Sequence, residues 1–187
     1  MFIQTEATPN PQVLKVLPGR ELLPGGSREF TDRAEAAASP LARALFDVDG
    51  VIRVYFGDEF LTVTKDPERD WSHLKAPILA EIMDHFTSGA PLIEGAEAVG
   101  EEEVYEGETA QIVAEIKDLI DTRIRPAVAQ DGGDIRFARF EPDTGVVFLN
   151  MRGACSGCPS SAATLKTGVE NLLKHYVPEV TRVEQTL

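Results

Sequence analysis

Apolar residues recur with two different spacings in the first part of this chain, and the spacings predict strands and helices. Short apolar, largely β-branched runs predict strands at residues 2–6, 13–17, 51–56 and 60–65. Gly57-Asp58-Glu59 joins the last two strands in the manner of a hairpin. Residues 21–38 show neither spacing, so we predict that they are irregular.

Two helices are predicted in this first part. Ser39-Pro40 is typical of an N-cap followed by a first helical residue, and predicts a short helix that ends at Phe46. A longer helix is predicted from about residue 71 to 87, where apolar residues recur every four positions: Leu74, Ile78, Ile82 and Phe86. Pro77 lies inside this helix, so we expect its first turn to be kinked or separate.

From residue 109 onward the order of predicted elements is helix, strand, strand, helix, strand. The predicted spans are 109–129, 135–140, 146–151, 159–175 and 180–187. Thr109 is the expected N-cap of the first of these helices, and Pro126 is expected to bend or break its last turn. Both parts of the chain therefore predict the α+β fold class, as two small α+β domains.

A stretch of like charge separates the two parts. Residues 89–108 contain seven glutamates, no basic residue, four glycines and a proline. Such a segment repels itself and breaks regular structure, which predicts a flexible acidic linker between domains at 1–88 and 109–187. The alternative interpretation is an acidic docking segment for a basic partner.

Charge and hydropathy exclude several classes of protein. A formal net charge of −13 argues against nucleic acid or an anionic membrane surface as a general partner. No apolar run is long enough to cross a bilayer, and the first residues lack the features of a signal peptide. We therefore expect a reducing compartment, where the two cysteines do not serve as a structural disulfide.

Both cysteines of the chain, Cys155 and Cys158, lie in one C-x-x-C segment that two thiolates can use to reach one metal centre. Pro159 suits the first position of the helix that follows, which places Cys158 near the N-cap. Unpaired amide groups at a helix N-terminus favour thiolate over thiol. Arg152 can add positive potential, so this segment is the candidate functional site.

Four interpretations of this segment compete. A mononuclear zinc site within one chain needs four ligands. The histidines do not supply a second pair, because His73 and His85 are twelve residues apart and are expected at a surface or interface. A thioredoxin-like dithiol also places C-x-x-C between a strand and a helix, but a hairpin precedes the motif here. Inert buried thiols are a third possibility, to which a Gly/Ser-rich loop is poorly suited.

The fourth interpretation is an iron–sulfur cluster, which usually takes four cysteine thiolates. Each chain has two, so the arithmetic requires two chains at a symmetric interface, each contributing Cys155 and Cys158. Clusters of the [2Fe-2S] and [4Fe-4S] types can both take four thiolates. A cluster held by short exposed loops between two chains is easily released, which suits a carrier better than an enzyme.

Two separate parts of the sequence resemble one known family. The segment 153–161, Gly-Ala-Cys-Ser-Gly-Cys-Pro-Ser-Ser, with Asp131-Gly132-Gly133-Asp134 before it, is similar to the C-terminal domain of NifU-like (Nfu) iron–sulfur proteins. Residues 2–11 with Leu17-Pro18-Gly19, residues 46–51 and residues 56–60 resemble the separate N-terminal domain of Nfu proteins. The resemblance covers nearly the whole chain except the acidic linker.

The resemblance implies a non-enzymatic carrier or scaffold. It implies a [4Fe-4S] cluster that bridges a homodimer through Cys155 and Cys158, is accepted from upstream assembly proteins and is delivered to recipient apo-enzymes. It also implies a partner-recognition role for the N-terminal domain, and a bacterial cytoplasm or a mitochondrial matrix as location. We expect Arg152 and the amides around Gly157–Ser161 to stabilise the anionic cluster, and residues 131–134 to shape a turn. A thiol–disulfide oxidoreductase with Cys155 as its nucleophile is the alternative function.

Overall fold

The computed structural model describes residues 3–24, 26–94, 104–156 and 159–186, with the side chains of 159–162 excepted. The chain divides into two compact units, Met1–Ala98 and Val99–Leu187. The central part of the predicted linker, residues 95–103, lies outside the described residues, as do Gly157 and Cys158. Each unit contains a sheet and helices, so the predicted α+β fold class is confirmed.

The first unit contains a five-stranded antiparallel sheet in the order β1-β2-β5-β4-β3. Its strands are β1 (Gln4–Ala7), β2 (Val13–Leu17), β3 (Arg28–Phe30), β4 (Val51–Phe56) and β5 (Leu61–Lys65). Its helices are α1 (Arg33–Ala36), α2 (Pro40–Asp47) and α3 (Trp71–Ser88). Apolar side chains from the sheet and all three helices form one core.

The structure confirms the two helices predicted for this unit. The Ser39 side chain accepts a hydrogen bond from the amide of Ala42 at 3.1 Å, and Pro40 is the first residue of α2. Helix α3 buries Leu74, Ile78 and Ile82, as the four-residue spacing predicts. The helix includes Pro77 in a continuous span, and this proline lies on its exposed face.

Two expectations for this unit are wrong. Residues 21–38 are not irregular, because they contain β3 and α1. Strand β3 pairs with β4 through Phe30 and Val54, and Phe30 is fully buried. That pairing joins residues far apart in the chain, so the local spacing of apolar residues does not predict it. His85 is buried at 8% exposure, whereas His73 on the same helix is exposed as expected.

The second unit opens with a helix in three parts: α4 (Gly107–Leu119), a π-helical turn at Ile120–Ile124, and α5 (Arg125–Gln130). Helix α4 begins two residues before the expected cap Thr109, and its N-cap residue Glu106 makes no side-chain capping hydrogen bond. Pro126 follows the π-helical turn, in which the amide of Arg125 donates to the carbonyl of Ile120. A proline ring clashes with the carbonyl four residues before it in a regular α-helix, and the wider turn relieves that clash.

The sheet of the second unit has three strands in the order β6-β7-β8. Strands β6 (Gly133–Glu141) and β7 (Val146–Gly153) are antiparallel, and β8 (Arg182–Thr186) runs parallel to β7. Helix α6 (Pro159–Tyr176) connects β7 to β8, as a parallel pair requires. The C-x-x-C segment therefore lies between a strand and the crossover helix. None of the helices described has both the length and the apolar character needed to span a bilayer.

Candidate metal centre

Cys155 lies in a tight turn directly after β7. Gly153 ends the strand with a φ of 62°, and its carbonyl accepts hydrogen bonds from the Ser156 amide at 3.1 Å and the Ser156 hydroxyl at 3.0 Å. The Cys155 amide donates to the carbonyl of Arg152 at 3.3 Å. Cys158 directly precedes the first residue of α6 in the sequence but lies outside the described residues. The structure thus positions one of the two predicted ligands.

The thiol of Cys155 is buried, contrary to the expectation of an exposed thiolate. Only 7% of the residue is exposed, and it belongs to the apolar core of the second unit. Burial raises the pKa of the Cys155 thiol to about 12, and the carboxylates of Asp134 and Asp131 add to the rise. Local loop composition predicted exposure, whereas packing against β6 decides the burial. In this conformation Cys155 is a protonated thiol.

Gly133 forms the wall against which this thiol packs. The register of β6 and β7 places Gly133 opposite Gly153, and the carbonyl of Gly132 accepts from the amide of Ala154 at 3.0 Å. A Cβ atom on Gly133 would overlap Sγ of Cys155. Gly132 has a φ of 77° and forms the turn that leads into β6. The Asp-Gly-Gly-Asp segment therefore both shapes a turn, as expected, and makes room for the thiol.

Asp134 forms a buried ion-pair network that the sequence analysis did not identify. Its carboxylate accepts from Nε of Arg125 at 2.8 Å and from Nε of Arg136 at 3.0 Å. The carboxylate side chain is 6% exposed, and the two arginine side chains are 25% and 29% exposed. Arg125 also contacts Asp121 at 3.2 Å. Burial acts to lower the pKa of the Arg125 guanidinium, but the hydrogen bonds and negative charges of Asp134 and Asp121 together raise it. The π-helical turn positions Arg125 for this role.

Arg152 lies opposite Asp134 in the register of β6 and β7, one residue before the strand ends at Gly153. Burial is the main cause of the raised pKa of the Cys155 thiol, and the charges of the Asp134 and Asp131 carboxylates raise that pKa further. The expected stabilisation of a thiolate by Arg152 stays a prediction. Within the described part of the chain, the histidine, cysteine, aspartate and glutamate side chains form no group of three that could hold a metal ion.

The protonated state of Cys155 is directly testable by alkylation. At pH 8 a pKa of about 12 leaves on the order of one thiol in ten thousand ionised, and only the thiolate reacts. We expect iodoacetamide to modify Cys155 very slowly in the folded chain, with a rate that rises about tenfold per pH unit from pH 7 to 10. Mass spectrometry of peptides that contain Cys155 measures the rate, and the chain unfolded in urea is the reference. A rate in the folded chain equal to the rate in urea would show that the thiol is not buried.

Comparisons with known proteins agree with this architecture. A family model described as "Scaffold protein Nfu/NifU N terminal" matches residues 3–89, and one described as "NifU-like domain" matches residues 116–184. These two matches define the class of protein: a two-unit chain with one Nfu-type and one NifU-like domain.

Relatives match along the whole chain. It is 49% identical over 186 residues to "NifU-like protein 4, mitochondrial" of Arabidopsis thaliana, covering 99% of this chain and 66% of that protein. It is 49% identical over 188 residues to "NFU1 iron-sulfur cluster scaffold homolog, mitochondrial" of Homo sapiens, covering 100% of this chain and 72% of that protein. A solution NMR structure of a NifU-like protein from Saccharomyces cerevisiae is 31% identical, with a TM-score of 0.46, over 51% of this chain and 87% of that one. The chain belongs to the Nfu/NifU family.

Proposed function

We propose that this protein is an iron–sulfur cluster carrier that holds a [4Fe-4S] cluster between two chains and delivers it to apo-proteins. The observation that supports this best is that both cysteines of an Nfu/NifU chain fall in one C-x-x-C segment of the sequence, after the end of β7 and before the first residue of α6. Two thiolates from each chain complete the four ligands that such a cluster usually takes. The proposed ligands are Cys155 and Cys158. The choice of [4Fe-4S] over [2Fe-2S] rests on the family.

Loading of a cluster requires a change at Cys155. A thiol that is 7% exposed and packed against Gly133 does not reach a cluster shared with a second chain. Its pKa of about 12 also means that ligation must release its proton. We infer that the turn at 153–156 opens, so that Sγ leaves the wall at Gly133 and becomes a thiolate ligand. Arg152, at the end of β7, is our candidate for offsetting the negative charge of the bound cluster.

The oxidoreductase alternative is less well supported. A nucleophilic cysteine in a dithiol enzyme needs a lowered pKa, because the thiolate is the attacking species. The environment of Cys155 instead raises the pKa of its thiol, through burial and two carboxylates. A dithiol enzyme therefore has no activated nucleophile at this residue in the conformation described.

We propose the same domain organisation as the sequence predicts, with units at 1–88 and 109–187 and the acidic linker at 89–108 between them. Upstream assembly proteins that supply the cluster, and apo-enzymes that receive it, are the proposed partners. A reducing compartment, the bacterial cytoplasm or the mitochondrial matrix, is the proposed location, since free thiolates are needed for loading. The names of the two relatives given above include the word mitochondrial.

Anaerobic reconstitution of the full chain with ferrous iron and sulfide tests the proposal. We expect a Mössbauer spectrum of a [4Fe-4S] cluster and one cluster for each pair of chains, because each chain supplies two thiolates. Cys155→Ala and Cys158→Ala should each abolish loading. Ser156→Ala is the matched control, since it removes a hydroxyl from the same turn and leaves both thiols, and it should still load.

The same samples decide against the proposal if it is wrong. A chain that forms no cluster but turns over as a disulfide reductase would be an oxidoreductase instead. Loading that survives in both cysteine variants would place the cluster elsewhere in the chain.

A further inference from the structure

Arg125 links the helical part of the second unit to the wall against which the Cys155 thiol packs. Its Nε donates to the Asp134 carboxylate at 2.8 Å, and Asp134 directly follows Gly133 in β6. Between the two partners of this ion pair lie α5 and the turn that leads into β6. The ion pair therefore closes the loop formed by residues 125–134 and fixes the start of the strand to the helix.

Two backbone contacts of the same wall are made to the turn that has to open for loading. Gly133 lies opposite Gly153 in the register of β6 and β7, and the Gly132 carbonyl accepts from the Ala154 amide at 3.0 Å. A contact with a moving turn cannot hold the wall in place while that turn moves. The ion pair with Arg125 can do so, because it comes from outside the hairpin of β6 and β7.

Arg136 shares the carboxylate of Asp134 but makes a different connection. Its Nε donates at 3.0 Å from the same strand, two residues further along β6. This second ion pair also balances the charge of the carboxylate, but it joins β6 to itself. Of the two ion pairs, only the one with Arg125 joins a helix to the strand. The two arginines therefore carry the same charge to the same carboxylate through different connections.

We propose that Arg125 is a positioning residue for cluster loading, which through Asp134 holds the wall at Gly133 and keeps the turn that carries Cys155 closed in the empty chain. Arg125 directly follows a π-helical turn, and such turns are rare and occur frequently at functional sites. Without the ion pair the wall can shift, the thiol loses close packing, and the turn opens more often. The inference rests on the proposed function, in which Cys155 leaves its buried position to ligate the cluster.

Hydrogen exchange of the full chain without iron tests whether Arg125 holds the turn. The reporter is the Ala154 amide, because its hydrogen bond to Gly132 breaks when the turn opens. We expect Arg125→Gln to speed exchange of this amide about tenfold, the value of one charge-assisted hydrogen bond. The Leu149 amide in the middle of β7 should change much less, and Arg125→Lys, which keeps the charge, should have an intermediate effect. Equal acceleration of the two amides would show a merely structural role and overturn the proposal.

Two further variants separate the connection from the charge. Arg136→Gln removes the same charge from the same carboxylate but keeps the link to α5, so it should speed Ala154 exchange much less than Arg125→Gln. Arg139→Gln removes an exposed ion pair from the same strand, with Glu141 at 2.8 Å, and should leave Ala154 exchange unchanged. Equal effects of Arg125→Gln and Arg136→Gln would overturn the proposal, because charge alone would then explain them.

The rate of anaerobic loading with ferrous iron and sulfide, followed by the absorbance of the cluster, tests the consequence for function. We expect Arg125→Gln to load about tenfold faster than the unaltered chain, because the same opening precedes ligation, and Arg136→Gln to load at nearly the unaltered rate. An Arg125→Gln chain that loads no faster would overturn the role in loading. If no chain loads at all, the carrier proposal is contradicted instead, and Ala154 exchange still decides whether Arg125 holds the turn.

Discussion

Replacing Gly133 by alanine is expected to expel the Cys155 thiol from its buried position and to raise its reactivity about a thousandfold at pH 8. A Cβ atom on Gly133 would occupy the space of Sγ, while the backbone of β6 is fixed by its pairing with β7. Once the thiol reaches water, burial no longer raises its pKa, which returns toward 9.0 from about 12. The thiolate fraction at pH 8 rises in the same proportion.

The same substitution should also lower the stability of the second unit. Overpacking of a well-packed core typically costs about 1–3 kcal/mol. Site-resolved iodoacetamide alkylation reports the thiol, and hydrogen exchange of the β6 and β7 amides reports the stability of this unit without interference from the first.

Gly168→Ala is the matched control for Gly133→Ala. Gly168 lies within α6, and a Cβ atom there meets no atom within 4 Å. Alanine at an exposed helical position should stabilise the unit by about 0.5–1 kcal/mol and leave Cys155 alkylation unchanged. The account of the buried thiol fails if Gly133→Ala leaves the alkylation rate of Cys155 where it was.

Asp134→Asn is the second substitution with a large expected effect. It removes the negative charge that two guanidinium groups share, from a side chain that is 6% exposed. Loss of one partner of a fully buried pair costs roughly 3–5 kcal/mol. Since Arg125 and Arg136 are each about a quarter exposed and can regain water, we expect the second unit to lose about 2–3 kcal/mol.

The thiol should respond to Asp134→Asn as well. The carboxylate of Asp134 is, after burial, the main cause that raises the pKa of Cys155, so its removal lowers that pKa and speeds alkylation. Glu141→Gln is the matched control, because Glu141 pairs with Arg139 at 2.8 Å on the exposed part of the same strand. Exposed pairs contribute at most about 1 kcal/mol. Equal losses of exchange protection in the two variants would show that the Asp134 network is no stronger than a surface pair.

The helical part of this fold was largely predictable because its signals are local. Ser39 and Pro40 mark the start of α2, and the four-residue apolar spacing of α3 identifies its buried face. The start of α4 was not predicted correctly, because Thr109 is a suitable N-cap residue that the helix does not use. Capping preferences are worth only about 1 kcal/mol, so packing of the first turn can override them.

The environment of the site depended on pairings that no local pattern shows. The two cysteines that we propose as ligands could be singled out from their spacing. The burial of Cys155, however, depends on Gly133, twenty-two residues earlier, through the register of β6 and β7. The Arg125–Asp134 pair depends on a π-helical turn. Pro126 predicted a bend or break at this place in the helix, but not a π-helical turn.

The burial of Cys155 has a consequence for how the proposed carrier is protected before it is loaded. A protonated, packed thiol protects an empty carrier from oxidation, because oxidants attack the exposed thiolate. Loading then has to offset the loss of this packing with the free energy of ligation. Variants at Gly133 or Asp134 that weaken the packing around Cys155 lower the free energy that ligation has to offset. The alkylation rate of Cys155 reports this change before any iron is added.

The most direct test of the central claim is the native mass of the reconstituted full-length protein, measured anaerobically. The account predicts a species with the mass of two chains plus one [4Fe-4S] cluster, and single chains in the Cys155→Ala and Cys158→Ala samples prepared in parallel. A single chain that carries a complete cluster would contradict the claim that two chains share it through Cys155 and Cys158.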